Sequence, residues 1–262
     1  MILKDKVIIV SGIGPGLGQE LSALAAAEGA HVVLAARTAS KLDAAEAMIR
    51  EAGHDVSVLK VPTDISSRDD VERLVGQTMD RFGRIDGLVN SAYIPGAFTD
   101  VIDADLDEWR RTFDVNLFGT VGLCQSVIRK MRETGGGSIV NVNTQVTRKP
   151  WMQQAAYATS KAALAMATVQ MATEVGKWNI RVNSTFMGWM WGHSVEQAFD
   201  YMSKESGQSV AELKAAQEQN IALRRMPTDR ECARPIIILL SDYCSVVTGA
   251  SLDINGGEFM PG

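Results

Sequence analysis

The sequence predicts an α/β protein built on a parallel sheet with helices packed on both faces. Three features carry this expectation. Short Val- and Ile-rich runs recur along the chain and are apolar throughout rather than alternating, as strands covered on two faces are. Longer segments with helical patterning lie between them. The first run leads directly into a glycine cluster, Ser11-Gly12-Ile13-Gly14-Pro15-Gly16-Leu17-Gly18.

The elements follow in order. Val7 to Val10 is a short β-branched strand that ends in glycines, and a Leu- and Ala-rich helix runs from about Gly16 to Glu28. His31 to Ala36 is a second buried strand, followed by a charged helix over roughly Ser40 to Ala52. Val56 to Val61 and Ile85 to Asn90 are strands three and four, with a helix over Arg68 to Phe82 between them. Helical segments cover about Asp107 to Phe113 and Leu117 to Glu133, and Ser138 to Val142 is the fifth strand. An alanine-rich helix spans Ala155 to Ala172, and Ile180 to Ser184 is the sixth strand. Ser194 to Asn220 is less regular with helical patterning; Asp229 to Leu240 is the last helix and Ser251 to Ile254 the last strand.

Composition narrows the function classes. With 262 residues and 46% hydrophobic content, the chain can bury a sizeable core. Net charge is −5, with 26 basic and 31 acidic residues and no basic block, which argues against nucleic-acid binding. Cys124, Cys232 and Cys244 are too scattered for a disulfide framework or a zinc site, and fit buried thiols in a reducing cytoplasm. His31, His54 and His193 form no ligand-spaced pair, so no metal is expected. The start of the chain lacks the apolar stretch of a signal peptide, and no segment reads as a membrane span.

In parallel α/β sheets, ligands sit beyond the carboxyl ends of the strands. The candidate groups lie there. Gly12, Gly16 and Gly18, with Gly14 extra, are spaced G-x-x-x-G-x-G rather than G-x-G-x-x-G. Such glycines let a pyrophosphate approach a helix N-terminus, where free N–H groups favour anions. At the end of the second strand an acidic residue would bind the ribose 2′-OH of NAD; this chain instead has Ala35-Ala36-Arg37-Thr38, and the Arg37 fork suits the 2′-phosphate of NADP. Asp64 follows the third strand, where it can accept from the adenine amino group or merely start a turn. Asn90 ends the fourth, where its amide can bridge backbone groups or meet the cofactor. Tyr157 and Lys161 are four residues apart, about one helical turn, so phenol and ammonium share a face. A nearby cation lowers a tyrosine pKa from about 10, which would make Tyr157 a general acid/base.

Taken together, Gly12-x-x-x-Gly16-x-Gly18, Asp64, Asn116, Tyr157-x-x-x-Lys161, Ile180-Arg181-Val182-Asn183 and Val247-Thr248-Gly249…Asn255-Gly256-Gly257 resemble the short-chain dehydrogenase/reductase family, from about Asp5 to Met260. The resemblance implies one Rossmann-type, doubly wound domain of about seven parallel strands. It also implies hydride transfer with NADP(H), or less favourably NAD(H), and a homodimer or homotetramer. Tyr157 would exchange a proton with the substrate oxygen. Lys161 would hold the nicotinamide ribose, and Asn116 would support Lys161 through a water. Leu17, Ile65, Ala92 and Gly188 would complete the cofactor contacts.

Three positions depart from the family pattern. Asn90-Ser91-Ala92-Tyr93 replaces Asn-Asn-Ala-Gly and puts an aromatic ring beside the cofactor. Thr144 stands where the catalytic serine is expected; it keeps the hydroxyl but adds a methyl that restricts χ1. Met187-Gly188 replaces Pro-Gly, and the threonine expected a few residues on is missing from Trp189-Met190-Trp191-Gly192. The stretch 187–220 is expected to form a substrate loop or lid. Its aromatic and methionine cluster, with Tyr93 and Trp151 opposite, either lines an apolar pocket in which Trp189 and Trp191 touch a bulky ketone or secondary alcohol, or packs against the sheet or a partner subunit. The alternatives are a 3-oxoacyl thioester reductase and a catalytically silent dinucleotide sensor on the same fold.

Overall fold

The computed structural model describes residues 1–261. Seven parallel strands form one sheet in the order β3-β2-β1-β4-β5-β6-β7. They are β1 (Val7–Ser11), β2 (His31–Ala36), β3 (Val58–Pro62), β4 (Gly87–Asn90), β5 (Gly137–Thr144), β6 (Ile180–Met187) and β7 (Ser251–Ile254). The helices are α1 (Leu17–Ala27), α2 (Ala39–Glu51), α3 (Arg68–Phe82), α4 (Leu106–Phe113), α5 (Thr120–Thr134), α6 (Ala155–Val175), α7 (His193–Ser206), α8 (Val210–Glu218) and α9 (Asp229–Leu240). This is the Rossmann-like single domain the sequence predicts.

The period-2 geometry of the strands divides the core into two layers. Ile8 and Val10 join Leu21, Ala45, Ile236 and Leu240 beneath α1, α2 and α9. Val7 and Ile9 join Leu74, Leu123, Val127 and Ala172 beneath α3, α5 and α6. Strands this fully covered need no polar face, which is why their sequences read as continuous apolar runs. Strand order reverses between β1 and β4, and there the two neighbouring connections diverge and leave a crevice.

Three differences from the sequence expectation bear on the crevice. β5 and β6 pair in register up to Thr144 and Met187, so both run farther than their apolar cores predict. Polar Asn143 and Thr144 are therefore strand residues. The irregular segment resolves into α7 and α8, the latter with a capping box between Ser209 and Glu212. Between α4 and α5 the chain makes a π-helical turn over Asp114–Gly119 instead of a break. A Cβ on Gly119 would press on the Ile65 carbonyl at 2.7 Å, so that turn lies directly against the end of β3.

Candidate active site

A cleft of about 680 Å³ opens at the carboxyl ends of the strands. Gly12, Gly14, Gly16, Leu17, Gly18, Arg37, Asp64, Ile65, Ala92, Tyr93, Thr144, Tyr157, Lys161 and Gly188 all line it. The glycine loop is a close-fitting cradle. Gly12 and Gly16 have φ of +96° and +110°, and a Cβ on Gly12 would overlap the Ala92 backbone. A Cβ on Gly18 would overlap the Gly12 carbonyl, so the start of α1 sits tight against the loop.

Arg37 is exposed at the end of β2 and enters no ion pair among the described residues. Lys41, in the first turn of α2, lies on the same side of the cleft, its Nζ 3.9 Å from a Cβ placed on Gly14. Sequence reasoning missed it, although an offset of four residues from Arg37 into a helix start was a usable signal. Asp64 lines the cleft, but one carboxylate oxygen accepts from the Ser66 amide and hydroxyl at 2.9 and 2.6 Å.

At the other end, β5 delivers Thr144 and α6 delivers Tyr157 and Lys161 to one place. Lys161 is 2% exposed and its Nζ donates to the Val142 carbonyl at 2.8 Å. Burial lowers the Lys161 pKa to about 7. Burial also raises that of Tyr157 above the ordinary phenol value, helped by neighbouring Tyr93; a hydrogen bond with the Thr144 hydroxyl opposes both. This corrects the electrostatic expectation from sequence. Lys161 is aimed at a carbonyl and partly discharged, so the protein on its own keeps Tyr157 protonated at neutral pH. The Tyr93 ring stands 5.7 Å from that of Tyr157 and 5.9 Å from the Lys161 ammonium, centre to centre for the rings.

Other expectations are also corrected. Asn90 does not line the cleft; it is buried in the sheet, donating to Asn141 Oδ1 at 2.8 Å and Cys124 Sγ at 3.2 Å. The alternation of β4 points it into the α5 layer. Asn116, expected to act on Lys161 through a water rather than to line the cleft, lies outside the cleft wall. Its Oδ1 accepts from the Ile94 amide at 2.9 Å; its Nδ2 donates to the Ile94 carbonyl at 2.9 Å and to Ser160 Oγ at 3.1 Å. Ser160 in turn donates to the Tyr157 carbonyl at 2.8 Å. The π-turn thus ties the loop after β4 to the Tyr157 helix through one amide.

The tryptophans do not line the cleft. Trp189 packs 4.7 Å from Trp151 and edge-on to Phe199 at 5.4 Å. Trp191 meets Phe199 at 5.6 Å, with the Lys214 ammonium 4.0 Å from its ring centre. With Ile221 and Met226 they form a small core beneath α7 and α8. The aromatic rings of the segment expected to form a loop or lid are thus packed edge-on into this core rather than turned to the cleft. Met190, His193, Ser194, Val195 and Gln197 face the cleft in their place, with Asn143 and Asp229 from elsewhere. Asn143 has its amide on Ser184 Oγ at 2.9 Å and a buried carbonyl oxygen without a partner. No local pattern marks Asp229, since only the fold brings α9 to the glycine loop.

Among the described residues no helix is long and apolar enough to cross a membrane, and no group of three acidic, His or Cys side chains is placed to hold a metal ion.

Residues 12–258 match a family model described as enoyl-(acyl carrier protein) reductase. Levodione reductase of Leifsonia aquatica is 32% identical over 97% of this chain and 94% of its own length. L-sorbose reductase of Gluconobacter frateurii, solved with NADPH and L-sorbose, superposes with a TM-score of 0.94 at 27% identity, covering 100% of both chains. An NAD+-bound xylitol dehydrogenase superposes with a TM-score of 0.90 at 30% identity, over 98% of this chain and 100% of that one. The motifs, the crevice at the strand reversal and these full-length likenesses agree, and the chain belongs to the short-chain dehydrogenase/reductase family of oxidoreductases.

Proposed function

We propose that this protein interconverts a ketone and a secondary alcohol with NADP(H). The observation that carries the reading is the meeting of Thr144, Tyr157 and Lys161 in a cleft whose other end is the glycine cradle. Gly12 to Gly18 would hold the diphosphate, Asp64 and Ile65 the adenine, and Arg37 with Lys41 the 2′-phosphate. Ala92, Lys161 and Gly188 would hold the nicotinamide half. The exposed, unpaired Arg37 and the nearby Lys41, with no carboxylate at the end of β2, favour NADP(H) over NAD(H).

When bound, the nicotinamide supplies or accepts the hydride. The residues supply the rest. In the reducing direction Tyr157 gives its proton to the carbonyl oxygen; its burial-raised pKa suits it to wait as the protonated acid. The Thr144 hydroxyl donates a hydrogen bond to the same oxygen and stabilises developing alkoxide charge. Lys161, once engaged with ribose hydroxyls, holds the dinucleotide against Tyr157. Asn116 positions this group by fixing Ile94 and Ser160 rather than by touching substrate.

The substrate wall is Tyr93, Ile94, Pro95, Met190 and Val195, with Gln197 and His193 as its polar groups. That lining suits a predominantly apolar ketone of moderate size better than a phosphorylated or CoA-linked one. The test is turnover of a ketone panel by purified protein with NADPH and with NADH, beside Tyr157→Phe. The variant should lose at least 99% of the rate while binding NADPH as the unaltered protein does. Retained turnover in Tyr157→Phe would remove Tyr157 as the acid, and a uniform failure of all ketones would remove the reading.

A further inference from the structure

Asp229 opens α9, yet its side chain turns into the dinucleotide cleft. One carboxylate oxygen lies 3.3 Å from a Cβ placed on Gly16, and the same oxygen would overlap a Cβ placed on Gly192. Both glycines are helix N-caps, Gly16 of α1 and Gly192 of α7, and neither end has a side-chain cap. A single carboxylate therefore stands between two helix N-termini with free N–H groups and positive dipole ends. Those N-termini are the natural seat of an anion.

The surroundings do not otherwise favour charge on Asp229. Partial burial, Glu20 and Glu196 raise its pKa to about 6, and no hydrogen bond or cation opposes them. Glu20 faces it from α1, already paired with Arg230 at 3.0 Å. Glu196 and His193 face it from α7, Lys41 stands across the loop on α2, and Tyr93 approaches from the loop after β4. On α9 itself its neighbours are Arg230, Glu231 and Cys232, with Glu231 bound to Arg225 at 2.8 Å.

We infer that the Asp229 carboxylate is a built-in competitor for the diphosphate seat between α1 and α7, so that this chain binds its dinucleotide with neutralisation or displacement of that carboxylate. The inference rests on the cofactor reading above. A dianionic diphosphate and a carboxylate cannot share two N-termini without mutual repulsion, and protonation of Asp229 removes the repulsion. Dinucleotide affinity then falls as pH rises through about 6, and the presence of dinucleotide raises the proton affinity of Asp229 by the same coupling.

The experiment is fluorescence titration of the purified full chain with NADH between pH 5.5 and 8. NADH is used because it lacks the 2′-phosphate, which itself titrates near pH 6. NADPH serves as the second ligand. Asp229→Asn keeps the shape and removes the charge, and Asp229→Ser is the second variant. The unaltered protein should bind less tightly at pH 7.5 than at 5.5. Both variants should bind about tenfold more tightly than it at pH 7.5, the size of one charge–charge repulsion across a half-buried gap, and should show a shallower pH slope than it by the share Asp229 contributes. Titration of Lys161 contributes equally to all three proteins and cancels in the comparison. Variants that bind no more tightly, keep the slope, or both fail to fold would overturn the inference and leave Asp229 a structural residue. If the unaltered protein bound neither dinucleotide, the cofactor reading itself would fall.

Discussion

Lys161→Met should make the dinucleotide-free protein more stable at low pH and less stable at high pH. Lys161 is almost wholly buried, and burial lowers its pKa from 10.5 to about 7. Well below pH 7 the side chain is charged both folded and unfolded, and the folded protein bears the whole cost of burying the charge. That cost is about 5 kcal/mol, from the depression of the pKa. Between pH 7 and 10.5 the unfolded chain keeps a proton that the folded chain has shed, so stability rises with pH; above 10.5 the cost has vanished. Methionine removes the cost but leaves the Val142 carbonyl, bonded to Nζ at 2.8 Å, without that partner. Losing the bond costs about 1–3 kcal/mol at any pH. The variant should therefore be about 2–4 kcal/mol more stable at pH 6, and its advantage should reverse sign at about pH 9. Urea denaturation followed by circular dichroism at pH 6, 8 and 10, without dinucleotide, reads this directly. A variant less stable at pH 6, or a difference that does not change with pH, would refute the reasoning. A confirmed crossover would mean that the protein holds a destabilising cation in place for function.

Two further substitutions probe the ends of the cleft. Arg37→Asp should lower the NADPH-to-NADH ratio of kcat/KM at least tenfold, by removing one phosphate partner and adding a carboxylate for the 2′-OH; an unmoved ratio would shift selection to Lys41. Trp191→Ala should cost about 2–3 kcal/mol of stability, because it empties part of the Phe199–Lys214 packing, and should slow small and bulky ketones alike. A loss confined to bulky ketones at unchanged Tm would instead return the tryptophan to the substrate wall.

The contrast between Trp191 and Tyr157 marks what was legible in the sequence. The placement of strands and helices along the chain and the glycine loop follow from local signals: apolar runs, helical spacing and turn residues are written in neighbouring positions. Tyr157 and Lys161 share a face because one helical turn is a local fact. The direction in which Trp189 and Trp191 turn is not local. Whether they face the cleft or Phe199 depends on how α7 and α8 fold back, and composition alone suits either arrangement. The same limit applies to Asn90. Its place at a strand end was readable, but a shift of one residue in a strand exchanges cleft for core.

Charge is where the distance between sequence and structure is greatest. Spacing sets Lys161 beside Tyr157 and suggests a cation that lowers the phenol pKa. Burial, which no pattern encodes, reverses the balance: the lysine loses charge and the tyrosine holds its proton. Asp229 repeats the lesson from the opposite end of the cleft. Its sequence context reads as an ordinary acidic first-turn residue of α9, where a carboxylate is normally favourable. Only the fold, by partly burying it and setting Glu20 and Glu196 nearby, turns it toward the protonated form. The two cleft ends are then complementary in charge. A lysine that binding would help to charge and a carboxylate that binding would help to neutralise both move the cleft toward accepting an anionic ligand. A dinucleotide would therefore bind with net proton uptake near neutral pH, which the change of released heat with buffer ionisation enthalpy measures in calorimetry. Zero uptake at pH 6.5 would mean that neither group responds to the ligand, and the electrostatic account of the cleft would have to be abandoned at both ends.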